Sequence, residues 1–159
     1  MSPIPANRTW RRADLGDPAE VARMLVVQRA AYAIEAELIG YPDLPPLHEA
    51  AEQLAACGED VWLYLQAGEI VGAVGLANDG DVVVIARLFV APRTFRQGIG
   101  TALVRRAIAE AGGRPMRVGT GARNTPALAL YRREGFDFGG GKLSGYVLGE
   151  RGGGASAAS

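Results

Sequence analysis

The chain has 159 residues, 48% of them hydrophobic and 21% charged, a globular composition long enough to bury a core without disulfides or metals. Seventeen basic residues balance seventeen acidic ones, so no net basic field exists to hold nucleic acid or an anionic membrane. Cys57 is the only cysteine, which excludes an internal disulfide. Cys/His metal spacings, a signal-peptide pattern and an apolar run of roughly 18 residues are all missing, and a reducing cytoplasm is the expected location.

In chain order, residues 1–7 read as a lead-in and Thr9 to Ala13 as a first strand. Asp17-Pro18 supplies a helix N-cap followed by proline at the first helical position. Val21, Met24, Leu25, Gln28, Ala31, Tyr32 and Glu35 then recur at helical spacing, a mostly apolar stripe whose far end can become the wall of a site. Gly40 to Pro46 breaks that helix, and a second short helix is expected over Leu47 to Ala56, ended by Gly58. Val61 to Gln66 and Ile70 to Leu76 form a hairpin through Ala67-Gly68-Glu69. Asn78-Asp79-Gly80 turns the chain into Val82 to Val90, a β-branched run that reads as a buried central strand and stops at Pro92. A helix follows over Gly100 to Ala111, with Leu103, Val104, Ala107 and Ile108 on one face, then a short strand from Met116 to Gly119. Pro126 to Glu134 is a helix closed by Gly135, and Phe136 to Phe138 and Leu143 to Leu148 are the last two strands expected. The order β-α-α-β-β-β-α-β-α-β-β predicts an α/β fold with a mixed sheet and helices on both faces. Residues 1–150 are expected to form a single domain, and residues 151–159, almost all Gly, Ala and Ser, a flexible tail.

Arg96-Gln97-Gly98-Ile99-Gly100-Thr101 lies where a strand has ended and a helix begins. Glycines let backbone N–H groups approach an anion without a Cβ in the way, and a helix N-terminus adds unpaired donors and partial positive charge. Together they make a pyrophosphate cradle, to which Arg93 and Arg96 can add charge-assisted bonds. Two nucleotide motifs fail here. A P-loop needs lysine before the hydroxyl, and Thr101 follows Gly100. A dinucleotide fingerprint needs a third glycine where Leu103 stands, and an early β-α-β unit that this late loop does not open.

Further on stands Asn124-Thr-Pro-Ala-Leu-Ala-Leu-Tyr-Arg-Arg-Glu-Gly-Phe136, by itself a capped helix with an apolar face and a glycine stop. With the strand end Arg87-Leu-Phe-Val-Ala-Pro92 and the glycine loop, in that order, it closely resembles the cofactor half of GNAT acetyltransferases over about residues 81–138. The resemblance implies a GNAT fold: a mixed, mostly antiparallel sheet of about seven strands with a splayed parallel pair, flanked by about four helices. It implies acetyl-CoA as cosubstrate, no metal, and direct transfer of acetyl to an amine. The pantetheine arm would enter between Val82–Val90 and Met116–Gly119, along Leu88, Phe89 and Val90, with backbone groups of Leu88 and Val90 bonding its amides as an added strand does. Amides of Arg96, Gln97, Gly98, Ile99, Gly100 and Thr101 would hold the pyrophosphate, Asn124 the pantetheine arm, and Tyr131 would protonate the departing thiolate. One position departs from the family: Phe95 stands where Gln or Arg is usual, with Arg96 and Gln97 beside it as compensation.

Only a neutral amine attacks a thioester, and a lysine-like amine has a pKa of about 10.4, so the site needs a base, a water chain to one, or a setting that favours the neutral amine. Some GNAT enzymes place a glutamate where this chain has Val84. The candidates left are Asp81, Glu35 and His48. Arg87, odd inside an apolar strand, is expected to form a structural ion pair, and Cys57 to be a small buried hydrophobe rather than a nucleophile. The acceptor pocket would lie between Tyr32 to His48 and Gly139 to Tyr146, for a small-molecule amine, an amino acid or a peptide. The competing readings are transfer of another acyl group and a non-catalytic acyl-CoA sensor. A homodimer through the last strands is a further expectation.

Overall fold

The computed structural model describes residues 7–40, 44–139 and 145–152. Asp17 caps helix α1 (Pro18–Ile39) by accepting the Ala19 N–H, and Gly40 ends it in the left-handed conformation at φ 69°. The helix start is tied to strand β1 (Arg8–Arg12) by the buried Glu20 carboxylate, which accepts from the Arg11 guanidinium and the Asp14 N–H.

The expected Leu47–Ala56 helix is two pieces, a 3-10 turn over Pro45–His48 and a short helix α2 (Ala51–Ala55). Glu49 and Ala50 between them are extended, and Gln53 accepts the Ala50 N–H at the start of α2. Tyr41, Pro42 and Asp43, within the expected helix break, lie outside the described residues.

Strands β2 (Asp60–Gln66), β3 (Glu69–Asp79) and β4 (Val82–Val90) form an antiparallel meander, with β1 on its outer edge. The glycine loop leads into α3 (Ile99–Ala111), followed by β5 (Met116–Gly121), α4 (Thr125–Arg133) and β6 (Tyr146–Arg151). Among the described residues the sheet has six strands in chain order, antiparallel except for β4 and β5.

The sheet has six strands among the described residues rather than the about seven expected. Phe136 to Phe138 makes a single bridge, in which Asp137 and Glu150 exchange backbone hydrogen bonds of 2.8 and 2.9 Å. The Asp137 carboxylate then accepts the Gly139 N–H and turns the chain away before a ladder can form. The last strand is Tyr146–Arg151 rather than Leu143–Leu148; Leu143 and Ser144 lie outside the described residues, and Arg151 belongs to the sheet.

The sheet separates two cores. Val21, Met24 and Leu25 of α1 pack with Leu54, Val61, Leu63 and Phe89 on one face. Leu103, Val104 and Ala107 of α3 and Leu128 and Tyr131 of α4 pack with Val71, Val74, Val83 and Ile85 on the other. Strand β4 changes allegiance midway. Gly75 pairs Arg87 but Leu76 pairs Ile85, so Ala86 is an extra, bulged residue. Before it, Val83 and Ile85 face α3 and α4; after it, Leu88 and Val90 do, while Phe89 turns to α1. A one-residue slip in a period-two element exchanges its faces.

Candidate active site

The bulge opens the sheet. Parallel pairing of β4 with β5 covers only Val83 with Met116, Val84 with Arg117 and Ile85 with Val118. Beyond Ile85 the two strands part, and a cleft of about 820 Å³ fills the wedge. Its walls are Ile85 to Leu88 of β4 and Val118 to Gly121 of β5, with Tyr32 and Glu35 from α1 and Leu130 and Tyr131 from α4. The helices that supply those last residues lie on opposite faces, so the wedge connects the two sides of the sheet.

Along β4, Ala91 donates its N–H to the Val71 carbonyl of β3. Two-residue alternation then turns the peptide groups of Val90 and Leu88 away from β3, toward the wedge. Leu88 is not free, however. The buried Tyr32 hydroxyl donates to the Leu88 carbonyl at 3.0 Å and accepts the Leu88 N–H at 3.2 Å. The tyrosine thus sits where an added strand would bond. Burial pushes the Tyr32 phenol well above its ordinary range, so it stays a neutral donor.

The loop at the end of β4 has the geometry of an anion cradle. Arg96 at φ 66° and Gly98 at φ 76° are both left-handed, and space around Gly98 is open. Gly98 is the N-cap of α3 and has no side chain to cap it, so the first-turn N–H groups of α3 are left for a ligand. Arg96 is exposed with no side-chain partner among the described residues, whereas Gln97 is held by Arg8. Phe95 is 43% exposed, and of the two loop arginines Arg93 is paired with Glu69 at 2.8 Å, which leaves Arg96 as the one able to offset it.

At the other end of the wedge the candidate residues converge. Asn124 caps α4, its Oδ1 accepting the Ala127 N–H, and its Nδ2 donates to Glu35 Oε1 at 2.6 Å. Burial raises the Glu35 carboxyl above its usual range, and the Asn124 hydrogen bond offsets part of that rise. Tyr131 is buried against Phe136 and Phe138, with ring centroids 5.7 and 6.3 Å away. Its hydroxyl has no partner among the described residues, and burial, with smaller contributions from Tyr32 and Glu35, holds the phenol above its ordinary range. Tyr146 reaches in from β6, its hydroxyl lying over Gly119, where any Cβ would collide with it.

Asp81 and His48 lie apart from this group. Asp81 is exposed in the turn before β4, His48 is exposed on the 3-10 turn, and neither lines the cleft. Cys57 packs against the α1 core, and burial raises its thiol, which makes it a poor nucleophile. Arg87 is the expected ion pair and more: its buried guanidinium bonds both Glu49 and Glu59, and also Gln28. Sequence reasoning missed the Ala86 bulge, the Tyr32 bridge and Arg123, a cleft-lining cation beside the Asn124 cap.

This constellation, a parallel pair wedged open by a bulge with an anion loop at its end, agrees with the comparisons to known proteins. Residues 27–136 match the Acetyltransferase (GNAT) family, and the chain belongs to that family. It is 36% identical over 120 residues to the UPF0157 protein YqkA of Bacillus subtilis (strain 168), an alignment covering 74% of this chain and 35% of that protein. It is 34% identical over 135 residues to a mycothiol acetyltransferase of Geodermatophilus obscurus, covering 80% and 41% respectively. The chain therefore spans less than half the length of the curated relatives it matches. Among solved structures, its fold is similar to a GNAT superfamily phosphinothricin acetyltransferase from Sinorhizobium meliloti in complex with AcCoA. That match has a TM-score of 0.73 at 18% identity and covers 96% of this chain and 92% of the other.

Proposed function

We propose that the chain is an acetyl-CoA-dependent N-acetyltransferase that transfers acetyl directly to the amine of a small molecule, amino acid or peptide. The observation that carries this reading is the wedge between β4 and β5, which brings Glu35 and Tyr131 from opposite faces of the sheet into one cleft. Family membership and the anion loop at the end of β4 support it.

The cradle fits a pyrophosphate: the Gly98 to Thr101 amides and Arg96 would hold it, and the open peptide groups of Val90 would bond the pantetheine arm. Leu88 can join only if Tyr32 releases it. Acetyl-CoA supplies the activated acetyl group as a thioester. Glu35 takes the proton from the acceptor's ammonium, and its raised pKa narrows the gap that this transfer must cross. The amine nitrogen bonds to the acetyl carbon as the C–S bond breaks. Tyr131, neutral and without a hydrogen-bond partner among the described residues, donates its proton to the departing sulfur. The nitrogen loses its second proton to solvent as the adduct collapses, and solvent exchange through the cleft deprotonates Glu35 and reprotonates Tyr131; of the two protons the ammonium gives up, one is balanced by the proton on the thiol and one is released. Asn124 acts as a positioning residue that aims the Glu35 carboxylate.

The test is thiol release from acetyl-CoA with a panel of amines, for the wild type and Tyr131→Phe. Amine-dependent release that falls by about 10- to 100-fold in the variant, with acetyl-CoA affinity unchanged, is the expected result. Acetyl-CoA binding without release on any amine would favour a sensor instead.

A further inference from the structure

The charges that line the cleft narrow the acceptor class, an inference that rests on the transferase reading. Among the described residues three charged side chains face the cleft: Glu35, Arg87 and Arg123. Arg87 is saturated by Glu49, Glu59 and Gln28 and has nothing left for a ligand. Glu35 has one hydrogen bond among the described residues, from Asn124. Arg123, the residue just before Asn124, has no hydrogen bond, ion pair or ring contact to its side chain among the described residues. Its Nη1 reaches toward Gly40 at the end of α1, the helix that also carries Glu35. The carboxylate and the guanidinium therefore share one cleft without pairing to each other. Opposite charges that line one cleft without neutralising each other are complementary to a zwitterion, which satisfies both at once. The wall around them includes Ile39, Leu44 and the Tyr146 ring, which suit an apolar substituent.

We propose that the acceptor carries a carboxylate a few bonds from its amine, as an α-amino acid does, with the carboxylate on Arg123 and the amine at Glu35. A guanidinium binds a carboxylate through two parallel N–H bonds, so the contact selects by geometry as well as charge. Arg123 is then a specificity-determining residue and Glu35 the base.

The probes are apolar and aromatic L-amino acids, each paired with its α-carboxamide. Without the neighbouring negative charge the carboxamide's amine is less basic and more of it is neutral, so chemistry alone favours the carboxamide. The proposal predicts the reverse: kcat/KM higher for the free acid by roughly tenfold or more. In Arg123→Gln, KM for the acid rises by roughly tenfold while the carboxamide changes by less than about twofold, and Arg123→Lys recovers part of the loss. An unchanged melting temperature confirms that the variants are folded. Carboxamides used as well as acids by the wild type, or an equal loss on both in Arg123→Gln, overturns the proposal. So does acetyl-CoA binding without turnover of any acid in the panel. Failure to bind acetyl-CoA at all overturns the transferase reading itself, and calorimetry on the same sample separates the two failures.

Discussion

Two charged groups flank the middle of β4, and they are built on opposite principles. On the α1 face, Arg87 sits between Glu49 and Glu59 with Gln28 completing its bonds. Burial works to raise Glu49, but hydrogen bonds from Arg87 and Gln28 outweigh it and leave the carboxyl below its usual range. Burial likewise opposes the Arg87 charge, and its two carboxylates more than restore it. In the wedge, Glu35 is left raised with a single neutral donor, and Arg123 is left without a partner among the described residues. A cluster that satisfies itself holds the fold together; one that is left unsatisfied has capacity for a ligand.

The largest effect should come from the satisfied cluster. Arg87→Ala leaves two carboxylates close together without their cation, and chemical denaturation should show a loss of about 3–5 kcal/mol. A loss below about 1 kcal/mol would mean that the cluster is not structural.

Glu35→Gln should separate activity from stability. Removing a general base costs about 100-fold or more in kcat/KM. The same change should raise the melting temperature at neutral pH. The folded carboxyl is raised above its unfolded value, so the folded chain binds the extra proton between those two values. Stability is then highest below the unfolded pKa and falls as pH rises through the folded one. Glutamine carries no charge to bury and can still accept from Asn124. The wild type should lose activity on the acid side at a pH above the ordinary glutamate range, and the variant should lack that limb. A pH profile unchanged by the substitution would remove Glu35 as the base.

The smallest effect concerns Tyr32. In Tyr32→Phe the Leu88 N–H and C=O lose their partner in the free protein, and a bound pantetheine amide would restore it. Acetyl-CoA should therefore bind a few-fold more tightly, by about 1 kcal/mol, in calorimetric titration. Weaker binding would mean that the hydroxyl stays on Leu88 in the complex.

Much of this architecture is written in local chemistry. Strand β4 runs from Val82 to Val90 as expected, because a β-branched run lies between Gly80 and Pro92. The glycine loop and the Asn124 cap were equally readable, since each is a short motif with its own backbone requirement. The Ala86 bulge has no residue signature, being a mismatch between two strands rather than a property of either. The pairing of Glu35 with Asn124 spans 89 positions, and no periodicity within α1 points to it. Asp81 and His48 were as eligible as Glu35 by residue type, and only the wedge separates them. The extra strand at Phe136 to Phe138 failed for a local reason, because the Asp137 side chain turns the backbone before pairing can extend.

Binding of acetyl-CoA in the β4–β5 wedge is tested most directly by backbone amide NMR during titration with acetyl-CoA. The largest shifts should fall on Val90 and on Gly98 to Thr101, with Leu88 moving as Tyr32 is displaced. No shifts, or shifts confined to residues away from the β4–β5 wedge and its loop, would contradict it.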